Sequence, residues 1–208
     1  MHDQAKSFTL FVKQIVPRYF EGKKVLDVGS GDINGNNREL FENCEYNGND
    51  VVAAENVTIV SKTKDLPFDN ESFDTIISTE CFEHDPEYRE SFLKIYDMLK
   101  PDGLFVFTCA STNRPEHGTR RTSPFESYGT IGGLNDMVDY YKNLTEVDLN
   151  DVLLLKERFS SWNTYYNAAS CDLYFIGIKT GEKEASPLPE YRESYVENTT
   201  SYYDRNFM

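Results

Sequence analysis

Val25-Leu26-Asp27-Val28-Gly29-Ser30-Gly31 decides how the chain is read. It is a buried apolar strand that ends on an acid and enters a glycine turn. A backbone pressed against a ligand just past a strand's carboxyl end needs residues without a Cβ, which Gly29 and Gly31 supply. Asp27, and Asp50 further on, put negative charge where a phosphate-cradling loop would want none. Such a crevice suits a ligand with positive charge and free hydroxyls.

Outward from this turn, the chain alternates strands and helices. Phe8, Phe11, Val12, Ile15 and Val16 recur at helical spacing over residues 4–16, predicting an amphipathic helix covering one edge of a sheet. Strands are expected at residues 23–28, 45–50, 57–60, 72–79 and 104–109, with a short helix at 36–41. Asp85 reads as an N-cap with Pro86 at the first helical position. Tyr88, Phe92, Ile95, Tyr96 and Leu99 then trace an apolar stripe, and Lys100-Pro101-Asp102-Gly103 stops the helix. This rhythm predicts an α/β fold with a parallel sheet and helices on both faces. Residues 111–133 are rich in Ser, Thr, Pro, Gly and Arg and too long for a plain connector. Thr145-Glu146-Val147-Asp148 opens a capped helix, and residues 156–163 and 172–179 read as an antiparallel strand pair. The domain spans residues 1–180. Residues 181–208 are a polar, Tyr-rich tail.

Composition narrows the function. The 208 residues carry a net charge of −14, which argues against nucleic-acid partners, because phosphate neutralisation needs clustered cations. The four cysteines are widely spaced and suggest neither disulfides nor a structural zinc, with Cys109 and Cys171 expected as buried thiols. No apolar run is long enough for a membrane span and no signal core is visible, so a cytoplasmic protein is expected.

Four motifs in order carry a resemblance. They are Val25 to Gly31; Asp65-Leu66-Pro67-Phe68 with Ser72-Phe73-Asp74; Glu83-His84; and Leu99 to Gly103. Together they resemble the class I S-adenosylmethionine-dependent methyltransferases, nearest to the small-molecule branch of the quinone-biosynthesis (type 11) enzymes. The resemblance is strong over residues 23–109, topological to 179 and absent beyond. It implies a Rossmann-like, seven-stranded, mostly parallel sheet with an antiparallel last strand. It also implies S-adenosylmethionine as cofactor, with S-adenosylhomocysteine as product. Asp27, Gly29, Ser30 and Gly31 would line the methionine end, where turn amides can bind a carboxylate. Asp50 would accept the ribose hydroxyls. An acid expected near the adenine is replaced by Lys62, which leaves backbone groups near Lys62 and Thr63, or Asp65, for that task; Thr79 completes the cofactor set.

Methyl transfer from a sulfonium needs alignment and, for a hydroxyl acceptor, a base. Glu83 and His84 follow the fourth strand, and His117 sits in the long loop. Each histidine is either a base or acceptor ligand, or an ordinary packing or loop residue. Glu80, Glu83, His84 and Asp85 could suggest a metal, but capping and dipole duties account for them, and no metal is expected. Arg114, Arg120 and Arg121 either grip an anionic acceptor or pair with Glu116 and Glu126. Tyr128, Tyr140, Tyr141 and Trp162 line an acceptor pocket or belong to the core. The expected function is methylation of a small molecule at oxygen, with a homodimer as one possible state. Two rivals remain. One is a nicotinamide oxidoreductase, disfavoured because Gly29-Ser30-Gly31-Asp32-Ile33-Asn34 lacks the third glycine of the dinucleotide fingerprint. The other is a non-catalytic partner module, with Tyr191, Tyr195, Tyr202 and Tyr203 on a docking arm.

Overall fold

In the computed structural model, which describes residues 2–184 and 186–200, eight strands form one sheet among the described residues. They are β1 Lys24–Val28, β2 Glu45–Asp50, β3 Ile59–Val60, β4 Phe73–Thr79, β5 Leu99–Ala110, β6 Phe159–Asn167, β7 Asp172–Lys179 and β8 Val196–Asn198. Their order is β3-β2-β1-β4-β5-β7-β6-β8. Pairings from β3 through β5 are parallel; those joining β5, β7, β6 and β8 are antiparallel. The strand order reverses beside β1, so β1 and β4 open a crevice at their carboxyl ends.

The sheet exceeds the seven-stranded expectation by β8, which comes from the polar tail and pairs Tyr165 with Asn198 and Asn167 with Val196. Three residues are too few to show a period. The tail also contributes to the core. Tyr191 is buried, with its ring 5.3 Å from Phe8 and 4.8 Å from Phe11, so it is no docking arm. Tyr195 is exposed, and Tyr202 and Tyr203 lie outside the described residues.

Five α-helices are described: α1 Asp3–Ile15, α2 Tyr88–Met98, α3 Tyr128–Ile131, α4 Glu146–Leu153 and α5 Leu155–Arg158. Aromatic packing fixes the two layers. On one face α2 and α4 bury Phe92, Ile95, Leu149 and Leu153 against Phe105, Phe107 and Phe175. On the other, α1 lays Phe8 and Val12 over Val25, Ile77, Val106, Tyr174 and Ile176, with Phe8 stacked on Tyr174 at 4.7 Å. The first helix therefore crosses the middle strands and not an edge, because its two innermost side chains meet residues of β1, β4, β5 and β7.

Local polar chemistry explains the other departures. Residues 36–41 do not form a helix but a 3-10 turn at Arg38–Leu40. Asp32 accepts hydrogen bonds from the Gly35 amide at 2.7 Å and Asn36 Nδ2 at 2.6 Å, and Asn36 Oδ1 accepts from the Arg38 amide at 2.9 Å. Such side-chain bonds compete with helix formation. Helix α2 starts at Tyr88, later than expected, although Asp85 still braces its first turn by accepting from the Glu87 amide at 2.8 Å and Ser91 Oγ at 2.6 Å. Strand β5 begins at Leu99, which pairs with Phe73 ahead of a register shift. Strand β6 starts late because α5 takes Leu155–Arg158. The Thr145–Asp148 capping box forms as expected.

Gly48 in β2 carries the closest approach behind the crevice. A Cβ there would lie 2.1 Å from Asn56 O and 2.6 Å from Ser30 Oγ. Gly48→Ala should lower unfolding free energy by about 1–2 kcal/mol through overpacking. Urea denaturation measures this, and an unshifted midpoint would contradict the packing described.

Candidate active site

The carboxyl ends of β1, β2 and β4 and the 111–133 insertion line a cleft of about 290 Å³. Gly29 has φ of +70°, and a Cβ on it would sit 2.5 Å from Cys81 Sγ. A Cβ on Gly31 would sit 2.2 Å from the Tyr128 ring and 2.8 Å from Asp50 Oδ2. The turn thus has to be glycine because protein groups close on it from two sides. The insertion contributes Tyr128 directly over this turn, with its hydroxyl donating to Asp32 O at 3.1 Å.

Asp27 is buried and accepts from the Tyr46 hydroxyl and from Asn37 Nδ2 at 3.2 Å. Burial pushes its carboxyl up to about 7 despite those bonds. Asp50 is held above the usual carboxylate range, again by burial, although it accepts from the Gly31 amide at 3.0 Å and the Val51 amide at 2.7 Å. Among the described residues neither acid has an ion-pair partner, and Arg38 acts on Asp27 only at a distance. Asn37 Nδ2 also donates to Thr79 Oγ1 at 3.1 Å, while its buried Oδ1 has no hydrogen-bond partner. That orphaned acceptor, beside Asp27 and Thr79 in the cleft lining, is suited to an ammonium group.

These groups fit S-adenosylmethionine, a cation with a free ammonium and a ribose diol. One expectation changes. The Ser30 amide donates to Asn49 O at 2.9 Å and the Gly31 amide to Asp50, so both are engaged within the protein. They shape the turn and do not await a carboxylate.

At the opposite rim, Lys62 Nζ donates to Glu87 at 2.6 Å and to Asp136, which ties the crevice edge to the segment beyond the insertion. Buried Thr63 donates from Oγ1 to Asn49 Oδ1 at 3.3 Å. Lys62, Thr63 and Thr79 all line the cleft. Asp65 does not. It faces solvent with Lys64 Nζ 3.0 Å away, because the 3-10 turn Thr63–Asp65 points it outward.

Past β4, the three residues expected to handle protons come together. His84 and His117 meet edge to face with ring centroids 5.0 Å apart, and both line the cleft. Glu83 lies behind them, fully buried, with neither carboxylate oxygen hydrogen-bonded, and its Oε1 is 3.9 Å from His117 Nε2. His117 Nδ1 lies 3.1 Å from Pro115 O. Burial, with Glu80 nearby, pushes the Glu83 carboxyl well above its usual range; burial, with His117 nearby, lowers His84 to about 3. His84 is therefore a neutral imidazole, and its buried Nδ1 lacks a partner. Capping does not occupy Glu83 or His84, contrary to the sequence expectation: the N-cap of α2 is Glu87, without a side-chain capping bond, and Asp85 only accepts from the Glu87 amide ahead of the helix. The ligand atoms of Glu83, His84 and His117 lie within 4.8 Å of one another, a spacing that also suits a metal ion.

Of the arginines, only Arg114 lines the cleft, and it donates to Ser170 O at 2.5 Å. Arg120 pairs with Asp139, and Arg121 with Glu116 at 2.9 Å, both exposed. Tyr128 lines the cleft, Tyr141 packs 5.0 Å from His117, and Trp162 packs against the core. Cys109 is buried, whereas Cys171 is only half-buried because it occupies a tight turn with φ of 57°.

Sequence reasoning missed Asn37, Tyr46 and Gly118. A Cβ on Gly118, whose φ is +67°, would lie 2.6 Å from His84 Cε1, so this glycine lets the insertion dock on the histidine. The Asn36-Asn37 pair after the glycine turn was the available signal for Asn37; Tyr46 and Gly118 act through contacts distant in sequence.

Residues 26–107 match a family model described as a methyltransferase domain. No curated protein matches the chain. Among solved structures, the 1,6-didemethyltoxoflavin-N1-methyltransferase of Burkholderia thailandensis, bound to its substrate and S-adenosylhomocysteine, is 17% identical with a TM-score of 0.56, covering 86% of this chain and 77% of that one. A possible histamine N-methyltransferase of Thermotoga maritima is 13% identical with a TM-score of 0.50, over 80% and 87%. A putative methyltransferase in complex with the Trm112 activator, from Haloferax volcanii, is 14% identical with a TM-score of 0.50, over 85% and 94%. These likenesses establish the fold. No described helix is long and apolar enough to cross a membrane. The methyltransferase-domain match over residues 26–107 thus coincides with the glycine turn and the acid-lined crevice, on a fold shared with S-adenosylmethionine-dependent methyltransferases.

Proposed function

We propose that the protein methylates a small-molecule acceptor at oxygen, with Glu83, His84 and His117 handling the acceptor's proton. The observation that carries this reading is the convergence of two cleft-lining imidazoles on a buried, unpaired carboxylate beside the cofactor crevice. S-adenosylmethionine supplies an activated methyl group on a sulfonium. Around it, Asp50 accepts the ribose hydroxyls, Asn37 Oδ1 and Asp27 receive the ammonium, and Lys62 and Thr63 border the adenine.

As the carbon–sulfur bond breaks and the carbon–oxygen bond forms, the acceptor hydroxyl loses its proton to an imidazole. Glu83, 3.9 Å behind His117, orients that ring, and the imidazolium that forms offsets the cost that burial places on the ionised carboxylate, so the two charges stabilise each other. His84, neutral and partnerless at Nδ1, can accept the hydroxyl's hydrogen bond. The anionic acceptor considered from sequence loses most of its support, because Arg120 and Arg121 are paired outside the cleft.

Calorimetric titration with S-adenosylhomocysteine and an acceptor screen scored by homocysteine-product release test the proposal together. Saturable nucleoside binding and turnover with a hydroxyl acceptor are expected. Turnover confined to amine nitrogen or carbon would overturn the oxygen assignment.

A further inference from the structure

Methyl transfer as described leaves one part of the cleft unused. Glu80, just past β4, lines it, and Asp172, at the start of β7, lies buried behind, both within reach of His2 Nε2. Asp172 is fully buried, and the Glu80 side chain is 14% exposed. Glu80 Oε1 accepts from Thr108 Oγ1 at 2.8 Å. Its Oε2 and both oxygens of Asp172 receive no aligned hydrogen bond. Burial of unpaired carboxylates is costly, so the pair calls for a cation.

Two cations are near. Arg114 Nη1 stands 3.5 Å from Asp172 Oδ1 but is spent on Ser170 O. His2 Nε2 stands 2.9 Å from Asp172 Oδ2 and 3.3 Å from Glu80 Oε2. Burial alone would lower the imidazole; the two carboxylates outweigh it and hold it at about 10, so His2 is charged. Two carboxylates against one guanidinium leave one negative charge, and His2 matches it. Yet the match is a makeshift one, because the imidazole is close but misaligned for hydrogen bonding with Asp172. His2 also occupies the N-cap position of α1, where the Nδ1–H of the charged ring donates to Gln4 Oε1 at 3.0 Å, and the neighbouring Asp3 and Gln4 are exposed. Both His2 and Glu80 line the cleft.

We propose that the slot between Glu80 and Asp172 is a cation subsite of the acceptor cleft, which takes a protonated amine carried by the acceptor in exchange for His2. The proposal rests on reading this cleft as the acceptor site. An ammonium offers three donors to Glu80 Oε2 and the two Asp172 oxygens, where the imidazole offers one N–H. His2 keeps the acids neutralised until the acceptor arrives and leaves when it does.

Phenethylamine and 3-phenylpropanoate, alike in shape and opposite in charge, are the probes. They are titrated calorimetrically into the full chain with and without S-adenosylhomocysteine. His2→Asn removes the resident cation but keeps a good N-cap residue. Its affinity for phenethylamine should exceed that of the unmodified protein by about tenfold or more, because an internal competitor has gone. Adding Glu80→Gln should reverse that gain, and 3-phenylpropanoate should bind neither form.

Unchanged or weaker amine binding in His2→Asn overturns the proposal, as does preference for the carboxylate probe. Zinc binding that requires His2, without any amine response, also overturns it. An amine response without nucleoside binding would support this subsite while overturning the functional reading above. Circular dichroism melts of each variant confirm that the fold is retained.

Discussion

Asp50→Ala should weaken S-adenosylhomocysteine binding by at least about a hundredfold, since a carboxylate that accepts two hydroxyl hydrogen bonds contributes about 1.5–3 kcal/mol through each. The side chain has a second task that sharpens the test. It accepts from the Gly31 and Val51 amides and so holds the glycine turn against the end of β2. Asp50→Asn keeps an acceptor for one amide and should bind more tightly than Asp50→Ala yet more weakly than the unmodified protein. Calorimetry gives all three affinities, and equal binding by all three would remove Asp50 from the cofactor site.

His117→Ala should slow turnover by about two to three orders of magnitude, the usual scale for losing a positioned general base. S-adenosylhomocysteine affinity should stay within about twofold, because the partners of His117 are Pro115 O, Glu83, His84 and Tyr141 and not the glycine turn. The split between turnover and binding separates two roles of the insertion. It bears His117 at one end and Tyr128 at the other, over Gly31. A joint loss of affinity and turnover in His117→Ala would mean that the histidine mainly secures the insertion as a cover over the nucleoside.

The parallel core was readable because its signals are local. Val25 to Gly31 states a strand and a turn in seven neighbouring residues, and the α2 stripe runs uninterrupted from Tyr88 to Leu99. Glu83, His84 and His117 were named from sequence, and the fold brings them within reach of one another. What escaped depends on distance along the chain. Tyr46 reaches Asp27 across paired strands, and Asn37 bonds Thr79 from the other side of β1. Tyr191 looked like part of a polar tail because its apolar partners, Phe8 and Phe11, lie at the opposite end of the sequence. His2 was passed over for the same reason: its partners, Glu80 and Asp172, are remote in sequence. Asp65 failed in the other direction, since a motif position says nothing about which way a 3-10 turn points its side chain.

The brief crossover from β1 to β2 has a consequence for how the molecule tolerates change. Residues 29–44 join two parallel strands with only a 3-10 turn between them, near the lower bound of about a dozen residues for any such link. Deleting more than about four of these residues would take the link below that bound and keep β2 from lying alongside β1. Shortening during evolution is thereby barred here, and drift in length is channelled to the rim on the far side, where new chemistries can be tried without disturbing the nucleoside's berth.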